Sequence, residues 1–222
     1  MSDSQPAQLD VFSDAICPWC YIGKRQLDGA LAALAREGLQ FAVTWRPYQL
    51  NPDMPLAGVE RDKYRAAKFG SLAKSRELDA QVAAAAAQAG VDIRHELMAR
   101  TPNTLAAHRL VWRAAQAGRQ DAVVEALFAA YFGEGRDIGD PDVLTAVGVA
   151  CGIAGAAEFL AGQAGRTEVL AEDAAARAAG LQGVPTFALD RHVLFSGAVP
   201  AETMAEALRE AHRVLRGPRR AA

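Results

Sequence analysis

The sequence predicts an α/β protein in which a long helical block interrupts a strand-and-helix framework. Three observations carry this reading. Strand-like stretches occur only near the two ends, at 9–14, 41–50, 184–189 and 192–197. Between about Val59 and Gly180 alanine dominates and helix start and stop signals repeat. The chain has 222 residues, 51% of them hydrophobic, enough for one large domain or one domain with an insertion.

Each element follows in order. "LDVFSD" (9–14) is short, apolar and β-prone, and ends in turn-formers. From Pro18, Leu27, Ala30, Leu31 and Leu34 recur at helical spacing, with proline suited to the first helical position and Gly38 to the stop. "FAVTWRPYQL" (41–50) alternates, then passes into a proline-rich, extended stretch. Helices are predicted within 80–90, 101–118, 121–135, 140–152 and 166–180, with no fixed repeat period. "VPTFAL" (184–189) and "HVLFSG" (192–197) flank Asp190-Arg191, a plausible two-residue hairpin turn. A last amphipathic helix carries Met204, Leu208 and Leu215, and the tail "RGPRRAA" is predicted to fray. The order is βαβ, helical block, αββα. The predicted boundaries are 1–58 and 181–222 for the framework and 59–180 for the insertion, whose last helix packs on the sheet.

Composition narrows the setting. A net charge of −2 gives no broad electrostatic basis for binding nucleic acid or an anionic membrane. No apolar run is long enough to span a bilayer. The start, "MSDSQPAQLD", lacks the basic residues and apolar run of a secretory signal. Three cysteines cannot make a disulfide framework, so the expected compartment is a reducing cytoplasm. The oligomeric state is left open.

Two of those cysteines stand in "SDAICPWCYIG" (13–23). A closed zinc site wants four ligands, and His95, His108, His192 and His212 are scattered without a paired spacing, so no metal is expected. Cys151 sits in the apolar "AVGVACGIAG" and reads as core. The redox reading rests on placement. The pair follows a strand and opens a helix, with Cys17 at the N-cap. There the unpaired N–H groups and the positive end of the helix favour a thiolate. Cys20, one turn inside, is shielded yet within reach of Cys17. Cys17 therefore attacks a disulfide and Cys20 resolves the mixed disulfide.

The chain resembles the DsbA family of thioredoxin-like proteins, in its FrnE-like branch. The resemblance lies in "VFSDAICPWCYIGK" (11–24), "WRPYQLNP" (45–52), "NTLAAHRL" (103–110), "GVPTFAL" (183–189) and "FSGAVP" (195–200). It implies a thioredoxin-like fold with an inserted helical domain and a redox-active Cys17–Cys20 disulfide. It also implies a cis-proline at Pro185 facing the pair, with the Val184 backbone offered to an extended substrate and Thr186 close by. No other cofactor is implied, and glutathione is a candidate co-substrate. The uncharged Pro-Trp between the cysteines implies a less oxidising couple than a histidine there would give.

Around this centre, Trp19 is either a docking face for substrate or a surface side chain. Asp14 either accepts protons or ends the first strand, and the second reading is preferred. Asn103 and Thr104 read as helix caps, with a substrate contact from Asn103 as the second reading. His108 shares a helix face with Leu105 and Trp112. It reads as a buried, satisfied histidine, or else as a general base. Arg46 and Tyr48 either line the cleft or pack beside it.

The leading expectation is an enzyme: a protein disulfide oxidoreductase or isomerase whose substrate is a protein or small-molecule disulfide. One alternative is a glutathione-dependent small-molecule isomerase or transferase, as in 2-hydroxychromene-2-carboxylate isomerases and kappa-class glutathione transferases. Those resembling enzymes typically have serine where Cys17 stands. Another alternative is a chaperone-like binding module whose insertion holds unfolded segments.

Overall fold

The computed structural model describes residues 5–216. The tail beyond Arg216, expected to fray, lies outside them. The framework begins with β1 (Ala7–Ser13), α1 (Pro18–Arg36) and β2 (Phe41–Pro47), and closes with β5 (Thr186–Leu189), β6 (His192–Ser196) and α9 (Ala201–Arg216). Between them lie β3 (Val59–Glu60), α2 (Arg61–Phe69), α3 (Leu72–Gln88), β4 (Arg100–Thr101), α4 (Leu105–Gln116), α5 (Gln120–Phe128), α6 (Pro141–Ala150), α7 (Ala156–Ala161) and α8 (Arg166–Ala178).

The main sheet has the order β2-β1-β5-β6. β1 and β2 run parallel, in register from Ala7↔Phe41 to Ser13↔Pro47, as a βαβ crossover requires. β5 is antiparallel to β1, with Val11 opposite Phe187. The hairpin to β6 turns on Asp190 and Arg191, at φ 46° and 69°. Both residues are left-handed, the geometry of a two-residue turn that follows the strand twist.

Side chains alternate across a strand, so the two faces of β1 meet different neighbours. Leu9 and Val11, with Phe187 and Leu189 beside them, are buried on one face. That face meets α1, where a Cβ on Gly23 would stand 3.0 Å from Pro185 and 3.7 Å from Phe187. α1 packs along α9, burying Leu27, Ala30 and Leu34 together with Met204 and Leu208. Asp10 and Phe12 face the other way, toward Glu172 and Ala176 of α8. Each fully buried leucine contributes about 1.5–3 kcal/mol of transfer free energy.

The helical block differs from the sequence reading in three places. The helix expected over 121–135 ends at Phe128 and continues as a single wide π turn, Ala129–Gly133. That turn sets Phe132 beside Tyr21, which stacks on Phe128 and Phe132 at 5.0 and 5.9 Å, and Tyr131 edge-on to Phe132 at 5.0 Å. Thr104 holds the N-cap of α4 but its side chain caps nothing. Asn103 does so instead, Oδ1 accepting from Leu105 N at 3.0 Å while Nδ2 donates to Met54 O at 2.6 Å. Cys151 packs at the rim of the core rather than inside it: it is the C-cap of α6, half-buried, with its thiol toward Ala122 O at 3.5 Å.

Candidate active site

The site grows from the junction of β1 and α1. Pro18 opens α1 with no N–H to leave unpaired, and Cys17 holds the extended N-cap position at φ −90°, ψ 112°. The carbonyl of Cys17 accepts from Cys20 N at 3.0 Å and Tyr21 N at 3.3 Å, which puts the second cysteine one turn inside the helix. Both cysteines are free thiols. Cys17 is 4% exposed and Cys20 0%. Burial pushes the Cys20 thiol well above the ordinary cysteine range. Cys17 beside it pushes the same way, and hydrogen bonds from the Ser13 side chain and the Asp14 backbone oppose both.

Across from the pair, the Val184–Pro185 peptide bond is cis. The Cys17 thiol points at the carbonyl of Val184, Sγ to O 3.6 Å. Gly23 lets α1 approach this loop closely, and the Pro185 carbonyl is held by Gly197 N at 2.8 Å.

Cys17, Trp19 and Val184 share one cleft of about 340 Å³ that runs from the framework to α2 and α3. Trp19 is 41% exposed at its edge. Three other candidates lie elsewhere. Thr186 turns inward: it is 1% exposed and its Oγ1 is engaged by Gly183 O at 2.8 Å and Ser196 Oγ at 2.6 Å. Asn103 is held by its capping bond and Met54. His108 lines a separate cavity of about 200 Å³ behind β2, together with Ser13, Trp112 and Arg46. Arg46 pairs there with Asp10 at 2.8 Å and Glu172 at 3.3 Å. Tyr48 packs beside the site, its hydroxyl on Leu181 O at 3.3 Å and its ring under the Arg177 guanidinium at 4.3 Å.

The expectation of a satisfied His108 fails. Its Nε2 lies 3.3 Å from Asp14 Oδ1, but the two do not meet in a hydrogen bond. Asp14 is fully buried, and its Oδ2 accepts from Leu50 N at 2.7 Å, so it anchors the chain after β2 as well as ending β1.

Sequence reasoning missed the far wall of the cleft. Arg61, Tyr64, Arg65 and Lys68 of α2 line it, with His95 and Asn51. Arg61 and Arg65 share Asp79 at 2.9 and 2.5 Å. His95 stands 3.6 Å from the same carboxylate, and burial lowers its pKa, with Arg61 and Arg65 adding to that. The signal existed as basic residues at i, i+4 and i+7, but such spacing normally marks a solvated face.

A family model of the DsbA-like thioredoxin domain matches residues 8–209. The chain belongs to the DsbA-like thioredoxin family. Within it, the chain is similar to the probable DsbA oxidoreductase SCO1869 from Streptomyces coelicolor: 31% identity, 97% and 94% of the two chains covered, TM-score 0.84. Two more distant structures share the fold. One is 2-hydroxychromene-2-carboxylate isomerase, at 19% identity, 94% and 97% coverage and TM-score 0.66. The other is the cytosolic disulfide reductase DsbM from Pseudomonas aeruginosa with GSH, at 19% identity, 94% and 99% coverage and TM-score 0.64.

Proposed function

We propose that this protein is a thiol–disulfide oxidoreductase acting on protein disulfides, with Cys17 as nucleophile and Cys20 as resolving thiol. The observation that carries the reading is the asymmetry of the pair. Cys17 stands at a helix N-terminus and lines the cleft, and Cys20 is sealed one turn inside the helix behind it. The Cys17 thiolate attacks one sulfur of the substrate disulfide and expels the other as a thiolate. Cys20 then loses its proton and attacks Cys17, releasing the second substrate sulfur and leaving a Cys17–Cys20 disulfide. Two electrons pass from the protein to the substrate, and an external thiol restores the reduced pair. Reductase and isomerase modes use the same steps. The carbonyl of Val184, beside the Cys17 thiol, suits an extended peptide adding along the loop.

A reducing cytoplasm and the FrnE-like branch fit this reading. Glutathione is the proposed small-molecule thiol partner, by likeness to DsbM, which was seen with GSH. A glutathione-dependent isomerase is the second reading, favoured by the shared fold of 2-hydroxychromene-2-carboxylate isomerase and opposed by the intact cysteine pair. The test is insulin-disulfide reduction with dithiothreitol. Wild type should accelerate precipitation, and Cys17→Ser should fall to the uncatalysed rate. An isomerase shows little activity in either form. A chaperone-like binder suppresses aggregation with or without Cys17.

A further inference from the structure

The cleft has an electrostatic sign that the rest of the chain lacks. The whole chain carries 26 acidic and 24 basic residues. Among the described residues, those lining the cleft include Arg61, Arg65 and Lys68 and none that is acidic. Two carboxylates stand behind the lining: Asp79, already shared by both arginines, and Asp14, buried and engaged by Leu50 N. One carboxylate against two guanidinium groups leaves a surplus of positive charge. Lys68 adds to it, for its Nζ is held by the Tyr64 hydroxyl at 2.6 Å rather than by an acid. The Tyr64 hydroxyl in turn donates to Asn51 Oδ1 at 2.7 Å, and Asn51 Nδ2 finds no acceptor among the described residues. The polar groups of this wall are thus mostly donors and cations. They face the same space as the Cys17 thiol. Cations in a partly desolvated cleft concentrate anionic ligands and act at an effective dielectric well below that of water.

We propose that the α2 wall selects disulfides that carry a carboxylate near the exchanging sulfur. The chemical class is an acidic disulfide, in a peptide or a small molecule, with Lys68 and Arg65 as specificity-determining residues. This rests on the thiol-exchange reading above and deepens it. Dithiol protein plus an acidic disulfide gives oxidised protein plus two acidic thiols, with no further reactant.

The test is single-turnover oxidation of pre-reduced protein by three disulfides of similar size and different charge: 3,3′-dithiodipropionate, 2-hydroxyethyl disulfide and cystamine. Quenched samples are alkylated and read by mass. Each rate is divided by that of free dithiothreitol with the same disulfide, which removes intrinsic reactivity. The expected order is anionic, then neutral, then cationic, with about fivefold between steps at low salt. The anionic-to-neutral ratio should shrink severalfold at high ionic strength, where the screening length falls to about 3 Å. Lys68→Gln should lower that ratio and Lys68→Glu should invert it, with Lys74→Gln, a lysine paired to Glu77 on α3, as the charge control. Equal normalised rates for the three disulfides, or a ratio that Lys68→Glu and salt leave unchanged, overturns the proposal while thiol exchange stands. A wild type that reacts with none of the three faster than dithiothreitol also overturns the proposal, and the insulin-disulfide assay then decides thiol exchange separately. The wild-type charge series and its salt dependence decide the matter even if a variant fails to fold.

Discussion

With no exposed surface, the Cys20 thiol has no water into which to ionise, and this limits the reduced protein at high pH. In the unfolded chain a cysteine ionises near about 8.5. Burial raises that value in the folded chain, so the folded state keeps its proton longer. The stability contribution is full below the unfolded value and is lost as pH rises through the folded one. Urea midpoints of the reduced protein should therefore fall above about pH 8.5, and Cys20→Ala should lack this part of the fall. A reduced protein whose midpoint holds steady there would remove burial as the dominant influence on Cys20. The second residue-scale expectation concerns Asp14. Asp14→Ala leaves Leu50 N without its acceptor and His108 beside an emptied site, a loss of about 3 kcal/mol in urea unfolding. If Asp14 and His108 act as one unit, Asp14→Ala with His108→Ala costs less than the two changes summed.

At the scale of elements, the exposed flank of β2 is closed by a side chain in place of a strand. Gln120, the first residue of α5, accepts from Trp45 N at 2.8 Å and donates to Trp45 O at 2.9 Å. The amide thus satisfies one rung of the sheet edge, which blunts strand addition from another molecule. Gln120→Ala should cost about 1–2 kcal/mol and increase aggregation on heating, measured by thermal unfolding and light scattering. An unchanged melting curve would mean that water serves Trp45 equally well. Element by element, what sequence could reveal follows from signal length. α1 was readable because Pro18 and Gly38 bracket a run of apolar residues at helical spacing, and the β5–β6 hairpin because Asp190-Arg191 is the right length for a tight turn. β3 and β4 pair over two residues each, too short for any alternation to register. α2 carries its basic face inward toward a cleft, and pattern alone cannot distinguish that from a face toward solvent. The cysteine pair was readable because its chemistry is local to one helix start. The Asp14–His108 approach was not, because it joins the end of β1 to the first turn of α4 across 94 residues.

Across the whole molecule, the framework and the helical block are tied through Lys24. This side chain of α1 is 4% exposed and reaches Asp28 and Asp121 at 3.2 Å and Glu125 at 3.3 Å, the last two on α5. Arg25 adds a 2.8 Å pair with Glu125, and Trp45 Nε1 donates to Asp121 at 3.2 Å. Burial alone would disfavour the Lys24 ammonium, but the three acids outweigh it and raise its pKa. Lys24→Met leaves those acids facing one another. They are partly solvated, so the expected loss at pH 7 is about 2 kcal/mol rather than the larger cost of a fully buried pair. Burial holds Asp28 above the usual carboxylate range, so it takes up a proton early as pH falls and the penalty should shrink by about pH 4, which urea titrations at the two pH values would read. A penalty that does not change with pH would mean that Lys24 contributes its hydrocarbon stem rather than its charge.

The cleft joins two stretches of chain that lie far apart in sequence. Cys17 and Val184 come from the framework, while Arg65 and Lys68 come from α2 in the helical block. On the reading proposed above, reactivity and preference are written in separate paragraphs of the gene. On that reading, drift within α2 would retune which disulfides are preferred while the sulfur chemistry is inherited untouched. A chimera carrying another family member's insertion on this framework should keep the first property and exchange the second.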